Sequence, residues 1–160
     1  MDPEDELLRG AIDLHAHGYP EFSLRVRGRV DDIEWAQQAR EVGMRAIVIK
    51  SHLFPTVERA YLARKAVPGI EVFGGIALNV NLGGLSPFAV EVVGELGGKV
   101  VWMPTWSSRN DLTKSQFYLA RMKGVLSKVD QLLPSPQQGI TILDSGGKLL
   151  PAVKEILGLV

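Results

Sequence analysis

The sequence predicts an α/β fold in which parallel βα units build a partial or distorted TIM-like (β/α) barrel, as one domain over residues 1–160. Three observations carry that expectation. Four short apolar runs rich in Val and Ile alternate with segments of helical pattern, and such runs suit strands buried on both faces of a parallel sheet. The units recur at about 30 residues, the length of a strand–helix–strand crossover. A closed eight-stranded barrel takes about 250 residues, so 160 residues suffice for part of one.

Each element has its own justification. Residues 11–16, Ala-Ile-Asp-Leu-His-Ala, alternate as a strand. Asp31 and Asp32 can cap a helix running to Val42, with Gly43 as its stop. Met44 to Ile49 is the second apolar run. Thr56 can cap a helix from Val57 to Ala66, which Pro68-Gly69 ends. Ile70 to Leu78 reads as the third strand, interrupted by Gly74 and Gly75. Ser86-Pro87 opens the next helix and Gly97-Gly98 closes it, before a fourth strand from Lys99 to Met103. After Pro104 the rhythm changes. A helix is expected from Leu112 to Val129, with Asp111 as its N-cap, followed by Pro134-Ser-Pro136. Ile140–Leu143 and Lys148–Leu150 flank the turn Asp144-Ser-Gly-Gly147, the pattern of a small β-hairpin near the C-terminus. A helix from Pro151 to Leu157 follows.

Composition narrows the function classes. The 18 Lys and Arg balance the 18 Asp and Glu, whereas domains that bind nucleic acid electrostatically carry a basic surplus or patch. Arg25, Arg27 and Arg29 form the one basic cluster, and Asp31 and Asp32 follow at once. No apolar run approaches the ~20 residues that span a bilayer. The acidic start, Met-Asp-Pro-Glu-Asp-Glu, is unlike a secretory signal. The chain has no cysteine, hence neither disulfide nor thiolate site. The expectation is a cytoplasmic protein acting on a small-molecule substrate, with no nucleic acid and no membrane.

The chemistry concentrates in Asp13-Leu-His15-Ala-His17. Side chains two apart on a strand share a face, so Asp13, His15 and His17 lie together, and two imidazoles so placed can converge on one metal ion. The only other histidine, His52, ends the second strand. Neighbouring parallel strands end side by side, which gathers all three histidines at one rim, and barrel active sites lie at the C-terminal ends of strands. Lys50 shares a face with His52 and can serve as a cation toward an anionic substrate. Asn79 and Asn81 share a face at the end of the third strand, where their amides can both donate and accept. Thr105 and Arg109 follow the fourth strand, with Arg109 suited to clamp a carboxylate or phosphate. Glu21, Asp111 and Asp144 are the remaining carboxylates near these segments.

An Asp-Leu-His-x-His first strand and a histidine ending the second resemble metal-dependent hydrolases of the amidohydrolase and polymerase-and-histidinol-phosphatase (PHP) type. The segments Phe73–Pro87 and Val101–Thr105 look like a little-characterised group of amidohydrolase-like proteins, and the likeness covers the first half of such a barrel. That resemblance implies His15, His17 and His52 as ligands of a divalent metal ion: zinc first, with manganese or iron as alternatives. It implies His52 as a ligand or as an acid/base beside the metal, and Asp13 as a residue that orients a ligand, while their own placement makes Lys50 a catalytic candidate with His52 and makes Asn79, Asn81, Thr105 and Arg109 candidate substrate contacts. The implied reaction is attack of metal-activated water on an amide, ester or phosphoester. Such families draw further ligands from later strands, and this chain has no histidine after His52. The alternative is a non-catalytic half-barrel that functions only as a homo-oligomer or with a separately encoded second half. A third reading, a phosphosugar-binding or isomerase-type barrel, rests on Gly83-Gly84 and the helix opened by Ser86.

Overall fold

A computed structural model describes residues 3–25, 28–114 and 134–160. They form an α/β structure of alternating βα units with parallel strands. Two compact units divide it: Met1–Ile76 with Val93–Val100, and Ala77–Val92 with Val101–Val160.

The first unit opens with a short helix α1 (Pro3–Leu8) and strand β1 (Ile12–Ala16), followed by α2 (Asp32–Glu41), β2 (Ala46–Ile49), α3 (Val57–Ala66) and β3 (Glu71–Phe73). The three strands make one parallel sheet in the order β1-β2-β3. Both crossovers are helical, as parallel pairing requires. Asp31 caps α2 with a full capping box: its carboxylate accepts the N–H groups of Ile33 and Glu34, and the Glu34 side chain accepts the N–H of Asp31. Helix α3 spans the expected Val57–Ala66, but the Thr56 hydroxyl does not cap it. Thr56 Oγ1 instead donates to Ile49 O at 2.6 Å and accepts the Gly75 N–H at 3.0 Å, tying the ends of two strands together.

All four residues of β2 are buried, which is why it reads as an unbroken apolar run. Ile47 and Ile49 pack with Ala36 and Ala39 of α2, Ala60 and Ala63 of α3, and Val67, Ile70 and Val72. Full burial of an Ile side chain contributes roughly 2–3 kcal/mol, so this cluster anchors the sheet to both helices. The outer strand differs. Ile12 is 47% and Leu14 61% exposed, and the β1–β2 register slips between Asp13 and Ala16.

The apolar run 70–78, expected as one strand, is two. It breaks at Gly74 into β3 and β4 (Gly75–Ala77), and β4 pairs with β5 (Val100–Trp102) in a separate two-stranded sheet. The physical reason is a close approach: a Cβ at Gly74 would meet the Thr56 carbonyl carbon and oxygen at 2.5 Å. The bend there frees Gly74 O to accept the Lys99 N–H at 2.9 Å.

Helix α4 (Pro87–Glu95) follows β4, with Ser86 Oγ accepting the Ala89 N–H at 3.2 Å as an N-cap should. A 3₁₀ turn, Val80–Leu82, precedes it. Helix α5 (Arg109–Lys114) begins three residues before the expected start. Its cap is Ser108, whose hydroxyl accepts the Asp111 N–H at 3.2 Å, so Asp111 lies inside the first turn instead of capping it. The remainder of the helix expected to Val129 lies outside the described residues. The expected hairpin is a single antiparallel bridge, Leu143 with Leu149, closed by Asp144 Oδ1, which accepts the N–H groups of Gly146 and Lys148. The last helix, α6, runs from Pro151 to Leu159. Among the described residues no helix is long and apolar enough to cross a membrane.

Candidate metal centre

Strand β1 ends at Ala16, so His15 lies on it and His17 one residue beyond it. The Asp13 carboxylate accepts the backbone N–H of His15 at 2.8 Å, steadying the strand end where the rings project. Strand β2 ends at Ile49, the Lys50 N–H donates to Ala16 O at 2.8 Å, and His52 follows two residues later. Parallel pairing therefore brings the two chain exits side by side. His15 and His17 have ring centroids 4.8 Å apart, and the His17 and His52 rings stack at 4.9 Å. The three histidines do gather at one rim.

A residue of undefined role in the sequence joins them. Glu21 lies four residues past His17, beyond a cis Tyr19–Pro20 peptide. Its Oε1 accepts the His52 N–H at 2.8 Å and lies 3.5 Å from His17 Nδ1. That second separation allows electrostatic attraction without a hydrogen bond. His17 Nδ1 and Glu21 Oε2 are both buried without a hydrogen-bond partner, a costly condition for polar atoms. His17, Glu21 and His52 each offer a ligand atom, and the three atoms lie within 4.8 Å of one another.

This set fits a divalent cation. Two imidazoles and a carboxylate form a donor set that zinc accepts, and manganese and iron share the preference for nitrogen and oxygen. Tetrahedral ligands at ~2.1 Å from an ion stand about 3.4 Å apart, a spacing of the same order as the 4.8 Å limit that holds these three atoms. His15 stands at the margin. Its Nε2 lies 2.9 Å from His17 Nε2, a hydrogen bond in which one ring donates and the other accepts. His15 is exposed, whereas His52 is 3% exposed.

Burial and neighbouring charge set the protonation states. His52 is held at about 4, first by burial and then by the His17 ring, so its imidazole is neutral at pH 7. Burial and the Lys50 ammonium likewise lower His15. Burial acts to raise Glu21, but the His17 ring and the His52 N–H outweigh it, and the carboxyl sits below its ordinary range. Burial lowers Lys50, with Glu21 opposing.

The His52 shift makes a prediction for the metal-free chain. Between pH 6.5 and about 4 the unfolded state binds a proton on His52 that the folded state refuses. Stability therefore falls as pH drops through that window and is flat above it. The loss is at most ~3 kcal/mol, and His15 acts in the same direction. Urea unfolding from pH 4 to 7 with chelator present checks this, and His52→Asn should flatten the slope.

Of the remaining expected site residues, Asn79, Thr105 and Arg109 hold structural hydrogen bonds. Asn79 and Asn81 do not share a face: the chain turns into the 3₁₀ segment after Asn79, leaving Asn79 fully buried and Asn81 exposed. Asn79 Oδ1 accepts the Thr105 N–H at 3.0 Å and the Ser107 hydroxyl at 2.9 Å, and Nδ2 donates to Thr105 Oγ1 at 2.9 Å. This polar knot joins two loops of the second unit. Arg109 opens α5, and its Nη2 donates to Gln137 O at 3.1 Å.

Two residues that sequence reasoning passed over complete the setting. Phe22 stacks on His52 with centroids 6.3 Å apart. Arg59 pairs with Asp32, at 2.6 Å from Nε to Oδ2 and 2.9 Å from Nη2 to Oδ1. Burial pushes Asp32 up, and the guanidinium offsets only part of that. Glu21 had one sequence signal, its spacing four residues past His17. Residues 10–160 match the model of a family of unknown function (DUF6282). No curated protein and no solved structure matches the chain.

Proposed function

We propose that this chain, which belongs to the DUF6282 family, is a metal-dependent hydrolase acting on an amide, ester or phosphoester of a small molecule. The observation that carries the reading is the pair of buried atoms without a hydrogen-bond partner, His17 Nδ1 and Glu21 Oε2, grouped with His52 in a ligand-sized cluster. His17, Glu21 and His52 would hold the ion, with His15 beside them. Bound there, the ion would supply Lewis acidity to the scissile group and lower the pKa of a water.

The chain's own residues do the rest. His52, with a pKa of about 4, is too weak a base to hold a proton at pH 7, which assigns it to ligation in preference to proton transfer. Its stacking against His17 and Phe22 fixes the ring plane. Lys50, 3% exposed, lowers the pKa of His15 and is itself raised by Glu21, and it contributes positive charge toward an anionic substrate. The fold that accompanies this reading is a partial (β/α) barrel, supported by the parallel order β1-β2-β3 and its helical crossovers.

The test is hydrolysis of nitrophenyl esters, phosphoesters and anilides by chain purified without a His-tag, loaded with zinc, manganese or iron, and compared with chelated chain. Turnover that requires metal and disappears in Glu21→Gln is the expected result. Equal turnover with and without metal would refute the proposal.

A further inference from the structure

We infer that Arg59 is a positioning residue of the metal centre, because its guanidinium binds the Asp32 carboxylate and the Gly18 carbonyl together and so holds the turn that presents His17 and Glu21. The inference rests on the metal-centre reading above and adds to it a residue that touches no proposed ligand.

The geometry is specific. Arg59 is the third residue of α3, and Asp32 the first of α2. The guanidinium grips both carboxylate oxygens, and Nη2 also donates to Gly18 O at 3.0 Å. Gly18 follows His17 directly. A Cβ at Gly18 would collide with Asp32 Oδ1, so the turn is pressed against the carboxylate that Arg59 holds. The two helices share the hydrophobic cluster around Ile47 and Ile49. The clamp therefore ties the turn to two helices packed on the buried core, and a site held by packed helices keeps its geometry better than one left to a loop.

Two other contacts also hold the turn. The Tyr19 N–H donates to Val30 O at 2.9 Å, and Glu21 Oε1 accepts from the His52 N–H. Without Arg59 these remain, and the turn stays near its place. What is lost is the fixed direction of the His17 ring relative to Glu21 and His52. Groups that orient metal ligands typically account for 10–100-fold in affinity.

The conservative variant is the informative one. Arg59→Lys keeps the charge, and a single ammonium cannot reproduce the planar fork that meets Asp32 and Gly18 at once. Zinc affinity is measured by competition with a chromophoric chelator, beside thermal unfolding of the metal-free chain. Arg59→Lys and Asp32→Asn are each expected to weaken zinc binding by roughly 10–100-fold while unfolding cooperatively. Val67→Ala, a core change that also lowers the melting temperature, is expected to leave zinc affinity unchanged. Wild-type affinity in folded Arg59→Lys and Asp32→Asn would overturn this inference alone. Equal weakening in Val67→Ala would also overturn it, by showing that general loosening suffices. A wild-type chain that takes up no zinc would overturn the metal-centre reading and this inference with it.

Discussion

His17→Ala is expected to weaken divalent metal binding by about 100-fold or more, beyond what removing an orienting group costs, while the chain stays folded. His17 is the hub of the cluster. Its Nε2 meets His15, its ring stacks on His52, and its Nδ1 lies 3.5 Å from Glu21. Its removal costs little packing, because the side chain is 29% exposed, and partly exposed sites away from the core usually tolerate truncation within about 1 kcal/mol. The loss should be graded. His52→Ala and Glu21→Gln each remove one buried donor, so both should follow closely. His15→Ala should lose least, since His15 is exposed and outside the closest ligand set. Isothermal titration with zinc across the four variants orders them. A His15→Ala variant weaker than His17→Ala would reverse the assignment and make the histidine pair on β1 the principal site.

Asn79→Ala is expected to have the largest effect on stability, about 3 kcal/mol or more. The side chain is fully buried and spends both ends of its amide. Alanine leaves the Thr105 N–H and the Ser107 hydroxyl without the oxygen they share, and Thr105 Oγ1 without its donor. A buried polar group deprived of its partner costs about 1–3 kcal/mol, and here several are deprived at once. Urea unfolding measures the change. A substrate contact with no structural duty would instead leave stability within about 0.5 kcal/mol, so the experiment separates a structural role for Asn79 from the expected substrate contact.

Much of the first unit was legible because its signals are local and periodic. Asp31 with Glu34 three residues later is a capping box, and α2 begins there. The unbroken Ala46–Ile49 run is buried on both faces, and that is what a central parallel strand requires. The meeting of His52 with His15 and His17 followed from topology alone, since adjacent parallel strands end together. Glu21 was harder. It lies in an irregular stretch with Gly18 and Pro20, where no period assigns a direction to a side chain, and only the fold brings its carboxylate to His17 and His52. Arg59 was illegible for a related reason: its partners, Asp32 and Gly18, are 27 and 41 residues away. The break at Gly74 was hidden because burial on both sides makes two short strands look like one. Asn79 and Asn81 misled because their spacing implies a shared face only while the strand continues, and the chain turns directly after Asn79.

The central claim, that His17, Glu21 and His52 form a metal centre, is tested most directly by elemental analysis. Chain purified without a His-tag is incubated with zinc, manganese and iron salts, separated from free ions, and assayed beside His17→Ala. About one ion per folded chain, retained by wild type and absent from His17→Ala, is the predicted result. No bound ion, or the same content in both proteins, would contradict it.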